Sequence, residues 1–231
     1  MLKPTNKPRV KICCIASVAE AQLAIQYGAS ALGLVSAMPS GPGVIAEAQI
    51  ARITASVPPP VATFLLTSKT DVRDIVAQQR RCRTNTLQIV DRLTAGTHAD
   101  LREALPGIAI VQVIHVSGDA SIDEAQAVAP HVDAILLDSG NQALPVKELG
   151  GTGRVHNWII SRRICEAVDA PVFLAGGLKP DNVADAVAQV QPFGLDVCSG
   201  VRTNGQLDAA KLAQFMERVV AAVSAPPKSL S

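Results

Sequence analysis

The thirty residues from Pro171 to Gly200 read PVFLAGGLKPDNVADAVAQVQPFGLDVCSG. Residues 171–175 form a short apolar run, a double glycine follows, residues 180–190 repeat Val and Ala at helical spacing, and residues 195–198 return to a short apolar run. Short runs bounded by turn residues fit buried strands, and the 3.6-residue period fits a helix. Strand, helix and strand in so short a span make a βα unit, whose strands run parallel through a right-handed crossover.

The same alternation extends towards both termini. Strands are expected at 10–13, 31–35, 61–66, 87–90, 108–114 and 133–137. Helices are expected at 17–27, 45–56, 71–80, 99–104, from 121 to about 128, at 158–168 and at 209–223. Ser17-x-x-Glu20 and Ser121-x-x-Glu124 read as capping boxes, Gly28 as the glycine that ends its helix, and Leu212, Phe215, Val219 and Val223 as one apolar stripe. Eight units in 231 residues average about 29 residues each, the size of a compact βα repeat. The count predicts a single (β/α)8 TIM barrel, with a doubly wound open sheet as the alternative. No linker divides the chain, so one domain spans 1–231, with a core at about 9–223 and loose tails rich in Pro, Lys and Ser.

Composition narrows the function. Twenty-one Lys and Arg against 20 Asp and Glu leave a formal charge of +1, without the basic excess that a nucleic-acid binder uses against phosphates. Apolar residues at 48% and charged residues at 18% exclude a disordered chain. Four Phe, one Tyr and one Trp leave the core to Ala, Val, Ile and Leu and give few stacking platforms for bases. Cys13, Cys14, Cys82, Cys165 and Cys198 are an odd, scattered set with no CxxC. That pattern fits a reducing compartment, with neither a disulfide framework nor a thiolate zinc site. With no apolar leader and no run approaching the length of a membrane span, a cytoplasmic protein with no membrane partner is expected.

In a barrel of this kind the chemistry sits at the C-terminal ends of the strands. That rule selects Cys13, Cys14, Asp138, Ser139, Gly176, Gly177, Ser199 and Gly200. Side-chain alternation puts Lys11 and Cys13 on one face of the first strand and Ile12 and Cys14 on the other, so Cys14 is expected to point away from the barrel axis. Cys13 reads either as a small buried hydrophobe or as a thiol whose ionised form a nearby cation favours. Asp138, closing the apolar strand DAILLD, reads either as a cap for the next loop or as a catalytic group. Strands one and six lie on roughly opposite sides of an eight-stranded ring, so the pair would flank a substrate as base and acid. The glycines of LAGGLKP and CSGV fit a backbone cradle for phosphate, or tight turns alone. His98, His115, His131 and His156 lack metal-ligand spacing and read as ordinary surface or satisfied histidines. GxGxxG, the P-loop and the GxSxG elbow are all absent from the sequence, and Gly150-Gly151-Thr152-Gly153 is by composition a flexible loop.

Six segments in order, Lys11-Ile12-Cys13, Gly28 to Gly33, Leu136-Leu137-Asp138-Ser139, Gly150-Gly151-Thr152-Gly153, Leu174 to Leu178 and Asp196 to Val201, resemble the phosphoribosylanthranilate isomerase family of tryptophan biosynthesis. The likeness runs from about Val10 to Val220. It implies a single barrel without cofactor or metal that acts on a phosphorylated sugar amine, as a monomer or homodimer. The reaction implied is an Amadori rearrangement of an aminoaldose to an aminoketose, an intramolecular oxidation and reduction. Carried onto this chain, the family's general base falls on Cys13 and its general acid on Asp138. Lys11, Gly176, Gly177, Asp196, Ser199, Gly200 and Val201 fall on its sugar and phosphate side. Opening the ribose ring needs a proton delivered to the ring oxygen, and forming the enolamine needs the C2 proton removed on the other side of the sugar. Phosphate held by backbone amides supplies remote binding energy that positions the sugar between the two groups.

The departures cluster on the aglycone side. Cys14 replaces the glycine after the base, and Gly43 stands where the family carries an arginine for the anthranilate carboxylate. Val90 replaces the histidine of a QLHG segment, a basic residue late in strand five becomes His115, and an FDW segment becomes His156-Asn157-Trp158. Two rivals to the isomerase follow. One is a paralogue that keeps the chemistry but takes another aglycone, and the other is a non-catalytic barrel that binds a sugar phosphate.

Overall fold

Eight parallel strands close on themselves in sequence order: β1 (Arg9–Ile12), β2 (Ala31–Val35), β3 (Ala62–Thr67), β4 (Thr86–Ile89), β5 (Ala109–His115), β6 (Ala134–Asp138), β7 (Val172–Leu174) and β8 (Gly194–Val197). The ring is sealed by β1 against β8, with Lys11 opposite Asp196 and Ile12 opposite Val197. This closed topology excludes the open doubly wound sheet. The computed structural model describes residues 7–140 and 156–224; the loop at 150–153 and most of both tails lie outside the described residues. Helices α1 (Val18–Gln26), α2 (Glu47–Thr54), α3 (Val72–Cys82), α4 (His98–Ala104), α5 (Ala120–Val128), α6 (Trp158–Ala167), α7 (Val183–Val190) and α8 (Ala209–Ser224) follow the strands in turn. Among the described residues no helix is long and apolar enough to cross a membrane.

Strand alternation builds two cores. Ile12, Leu32, Leu34, Leu65, Leu87, Ile110, Ile135, Leu137, Leu174 and Leu195 face outwards and meet Ile50, Ile53, Ile75, Leu101, Ile164, Val183 and the stripe Leu212, Phe215, Val219 of the helices. Inside the ring a smaller set, including Ala31, Phe64, Val111, Val113, Leu136 and Phe173, fills the barrel. Two of the few rings are spent there, Phe64 and Phe173 meeting edge to face at 6.0 Å. The interior also holds a fully buried ammonium, Lys11, 2.9 Å from Asp196 and 5.3 Å from the centre of the Phe64 ring.

Local signals were borne out unevenly. Ser17 caps α1 through the Glu20 amide, but the Glu20 carboxylate turns elsewhere, so only half of that box forms. The second box does not form. Ser121 lies inside α5, buried, where its hydroxyl accepts from the Ser117 amide and donates to the His115 carbonyl, tying the loop after β5 to the helix. A full capping box appears instead at Thr97 and Asp100, opening α4. The α7 helix starts at Val183, three residues later than expected, because Asn182 caps a turn by accepting from the Lys179 amide and donating to the Gly177 carbonyl. After β8 the chain makes one 3-10 turn, Ser199–Val201, and then a two-residue hairpin of β9 (Arg202–Thr203) and β10 (Gln206–Leu207) over Asn204-Gly205. Asn-Gly between short strands is a strong hairpin signal, and it was legible at 204–205.

Candidate active site at the barrel mouth

The C-terminal ends of the strands surround a cavity lined by Cys13 and Cys14 after β1, Ser40 to Pro42 after β2, Gln88 on β4, Asp138 on β6, Gly176 and Gly177 after β7, and Asp196, Cys198 and Ser199 on and after β8. Counted out to solvent at its rim, this open space measures about 670 Å³. The sequence-selected Cys13, Asp138, Gly176, Gly177, Asp196 and Ser199 thus share one wall-to-wall space. Lys11, Gly200 and Val201 do not line it. Lys11 is sealed beneath the floor. Val201 is fully buried with its amide turned to the Cys198 carbonyl. Gly200 packs so tightly on the loop after β7 that a Cβ would lie 1.9 Å from the Leu178 carbonyl oxygen, so only glycine lets these two loops meet.

Asp138 caps the following loop and also lines the cavity. It is buried at the end of β6, its Oδ1 accepts from the Ser139 amide at 2.7 Å, and it still faces the cavity. Around the ring it is three strands from β1, so Cys13 and Asp138 stand on well-separated walls. Burial works against the Lys11 ammonium, but Asp196 and then Cys13 outweigh it and hold its pKa above the ordinary lysine value. Burial pushes the Asp196 carboxyl up, Lys11 pulls it back, and Asp138 adds repulsion, so the two acids feel each other across the mouth.

Two of the four histidines stand near Asp138, each with a hydrogen-bond partner. His115 is buried, sits opposite Asp138 in the β5–β6 register, and its Nε2 lies 3.0 Å from the Val90 carbonyl. His156 contacts the Ser161 hydroxyl at 2.7 Å. Burial lowers its pKa to about 4, opposed by the Asp138 carboxylate. A neutral imidazole thus stands within electrostatic reach of Asp138.

Cys14 also differs from expectation. Its φ of 61° is left-handed, a conformation favoured by glycine, the residue the family carries there. That rotation defeats simple strand alternation and brings the thiol into the cavity wall beside Cys13. Arg202, which sequence reading passed over, and Glu20, read there only as a cap, hold this turn. Arg202 donates to the Cys13 carbonyl at 3.2 Å, to the Cys14 carbonyl at 2.6 Å and to Glu20 at 2.8 Å. Glu20 also accepts from the Ala16 and Leu207 amides. Burial alone would raise the Glu20 carboxyl, and the bonds from Arg202, Ala16 and Leu207 hold it below its ordinary value. The Glu20 motif had been read as a cap only, and nothing in the sequence linked it to Arg202, 182 positions away.

Among the described residues no Lys or Arg lines the cavity, and no group of three or more His, Cys, Asp or Glu could hold a metal ion. Gly43 is pressed against Cys14: a Cβ at position 43 would lie 2.5 Å from the Cys14 Cβ. The cysteine and an arginine at 43 therefore compete for one space.

The family model for N-(5'-phosphoribosyl)anthranilate (PRA) isomerase matches residues 10–218. The chain belongs to this family. N-(5'-phosphoribosyl)anthranilate isomerase 2 of Methanosarcina mazei is 34% identical over 212 residues, covering 91% of this chain and 93% of its own. The isomerase of Halobacterium salinarum is 35% identical over 218 residues, covering 92% and 96%. Among solved structures, phosphoribosyl anthranilate isomerase from Thermotoga maritima superposes with a TM-score of 0.76 at 26% identity, covering 93% of this chain and 99% of that one.

Proposed function

We propose that this member of the phosphoribosylanthranilate isomerase family catalyses the family's Amadori rearrangement on N-(5'-phosphoribosyl)anthranilate, with Cys13 as base and Asp138 as acid. The observation that carries this reading is that a thiol and a carboxyl on separate walls open into one small cavity whose third side is glycine backbone. The phosphate rests on the amides of Gly176, Gly177 and Ser199 after β7 and β8, with Gly200 packing the two loops together behind them, where barrels of this type hold anions. The sugar then extends across the mouth, Asp138 protonates the ring oxygen, and Cys13 removes the C2 proton from the enolising carbon. Val201 supports the cradle from the core. The Lys11–Asp196 pair acts from below, fixing the charge under Cys13. The reading extends to a single barrel domain acting in the cytoplasm.

Complementation of a tryptophan auxotroph lacking the isomerase tests the whole reading, and failure by well-folded protein sinks it. Cys13→Ala and Asp138→Asn are each expected to lower turnover by about a hundredfold or more, the usual worth of a positioned acid or base. Unchanged turnover in both would remove the catalytic assignment. One observation favours a second reading. Gly43, held against Cys14, leaves the anthranilate carboxylate without the family's arginine, which suits a phosphoribosyl amine with a different aglycone. Equal affinity for a reduced phosphoribosylanthranilate analogue and for plain ribose 5-phosphate would select it.

A further inference from the structure

The strand pairing of β1 ends at Ile12, one residue before the thiol assigned as the base. The Cys13 amide is still held, donating to the Val197 carbonyl at the end of β8 at 2.8 Å. Its carbonyl and that of Cys14 are both taken by Arg202, whose Nη2 lies 3.2 Å from the first and 2.6 Å from the second. The guanidinium is itself fixed. Nη1 donates to Glu20 Oε1 at 2.8 Å and to the Gly205 carbonyl at 2.9 Å, and Nη2 reaches Glu20 Oε2 at 3.2 Å. Glu20 also accepts from the Ala16 amide ahead of α1 and from the Leu207 amide on β10, each at 2.9 Å. The Arg202 side chain is 7% exposed and that of Glu20 16%, so water and salt screen this two-pronged contact little. Neither residue lines the cavity. Both act through the backbone they hold.

We propose that Arg202 is a positioning residue for Cys13: locked by Glu20, its guanidinium holds the turn after β1 so that the Cys13 thiol meets the sugar at a fixed place and angle. The turn needs holding. Cys14 carries a side chain at a φ of 61°, a region that L residues avoid, and the bond from Arg202 to the carbonyl of that same residue is the shortest in the cluster. The thiol has little slack on its other side, where its Sγ lies 2.7 Å from the place a Gly33 Cβ would take. A catalytic group works only within about 0.5 Å of its productive position, and a misplacement of about 1 Å costs about a hundredfold in rate. Lysine cannot replace this arginine, because a single ammonium lacks the planar fork that serves two carbonyls and a carboxylate together.

Arg202 directly follows the 3-10 turn Ser199–Val201, whose first residue lines the cavity. The clamp therefore joins the turn after β8, the start of α1 and the turn that carries the base into one hydrogen-bonded unit. Its effect on turnover rests on the isomerase reading. The clamp on the turn does not, so a readout that needs no turnover tells the two failures apart.

The test uses Arg202→Met, Arg202→Lys and Arg202→Ala in the full chain. In steady-state turnover of N-(5'-phosphoribosyl)anthranilate, kcat is expected to fall about ten- to a hundredfold in all three, with KM within about twofold of wild type. Methylguanidinium at millimolar concentration should restore part of the lost kcat to Arg202→Ala and leave wild type unchanged. Pulsed iodoacetamide labelling of the native proteins, read by mass spectrometry, supplies the second readout. Cys13 and Cys14, each 6% exposed, should label several-fold faster in Arg202→Met, while Cys82, fully buried in the outer core, keeps its wild-type rate. If wild type does not turn over, the isomerase reading fails and the labelling alone judges the clamp. Unchanged kcat, a loss carried by KM alone, or Cys82 speeding up together with Cys13, the mark of general loosening, would each overturn the proposal.

Discussion

Restoring the family's arginine by Gly43→Arg should fail alone and succeed in company. Gly43 has φ +80°, and a Cβ there would sit 2.5 Å from the Cys14 Cβ and 2.9 Å from its Cα. Two costs combine, a left-handed backbone on a residue with a side chain, about 1 to 2 kcal/mol, and overpacking against a buried neighbour, about 1 to 3 kcal/mol. Cys14→Gly removes the neighbour's side chain and relaxes the backbone at φ 61°. The double variant should therefore lose the clash with the cysteine side chain but retain the backbone cost at position 43, about 1 to 2 kcal/mol, and the close approach of the new Cβ to the residue-14 Cα at 2.9 Å. A coupling of about 1 to 3 kcal/mol between the two sites follows, well above the few tenths expected of independent ones. Urea unfolding of the four proteins in the cycle reads it directly. Binding should follow stability. A bidentate arginine contact to a carboxylate is worth about 1.5 to 3 kcal/mol, so calorimetry should show the double variant binding a reduced phosphoribosylanthranilate analogue about ten- to a hundredfold tighter than wild type. Affinity for ribose 5-phosphate should be unchanged. Additive stabilities would refute the steric exclusion, and an unimproved analogue affinity in a folded double variant would refute the placing of the carboxylate near position 43.

Lys11→Met leaves Asp196 buried without its partner and should cost about 3 to 5 kcal/mol, most of it recovered when Asp196→Leu is added; urea midpoints of the two variants decide this, and equal losses in both would show that the pair is not what stabilises the floor. His156 gives a pH dependence of definite sign. Its folded pKa of about 4 lies below the unfolded value, about 6.5, so the unfolded chain binds the extra proton, and stability present above pH 6.5 falls as the pH drops towards 4. That window should span roughly 3 kcal/mol by linkage, and thermal melts of His156→Phe should show the slope flattened; an unchanged slope would assign it to other groups.

How far the sequence carried can be judged residue by residue. The barrel was legible because it rests on period and count. Short apolar runs and helical stripes repeat eight times, and the closure of β1 on β8 needs no rarer signal than that repetition. The glycines after β7 and β8 were legible because backbone geometry selects them, as Gly200 shows in its contact with the Leu178 carbonyl. Cys14 was misread because alternation assumes extended dihedrals, and the chain leaves the strand at that residue into the left-handed region. Arg202 and Glu20 were missed because an ion pair between residues 182 apart leaves no local pattern. The two kinds of miss meet at one place. The turn that presents Cys13 to the cavity is held by Arg202, distorted by Cys14 and cleared by Gly43, three residues whose sequence positions have nothing in common until β1, β2 and β8 close the ring. Gly43 and Cys14 are then one packing arrangement seen from two loops. Whatever selects the aglycone in this chain has to work around the Cys14 thiol, which lies against Gly43 and leaves no room there for a side chain.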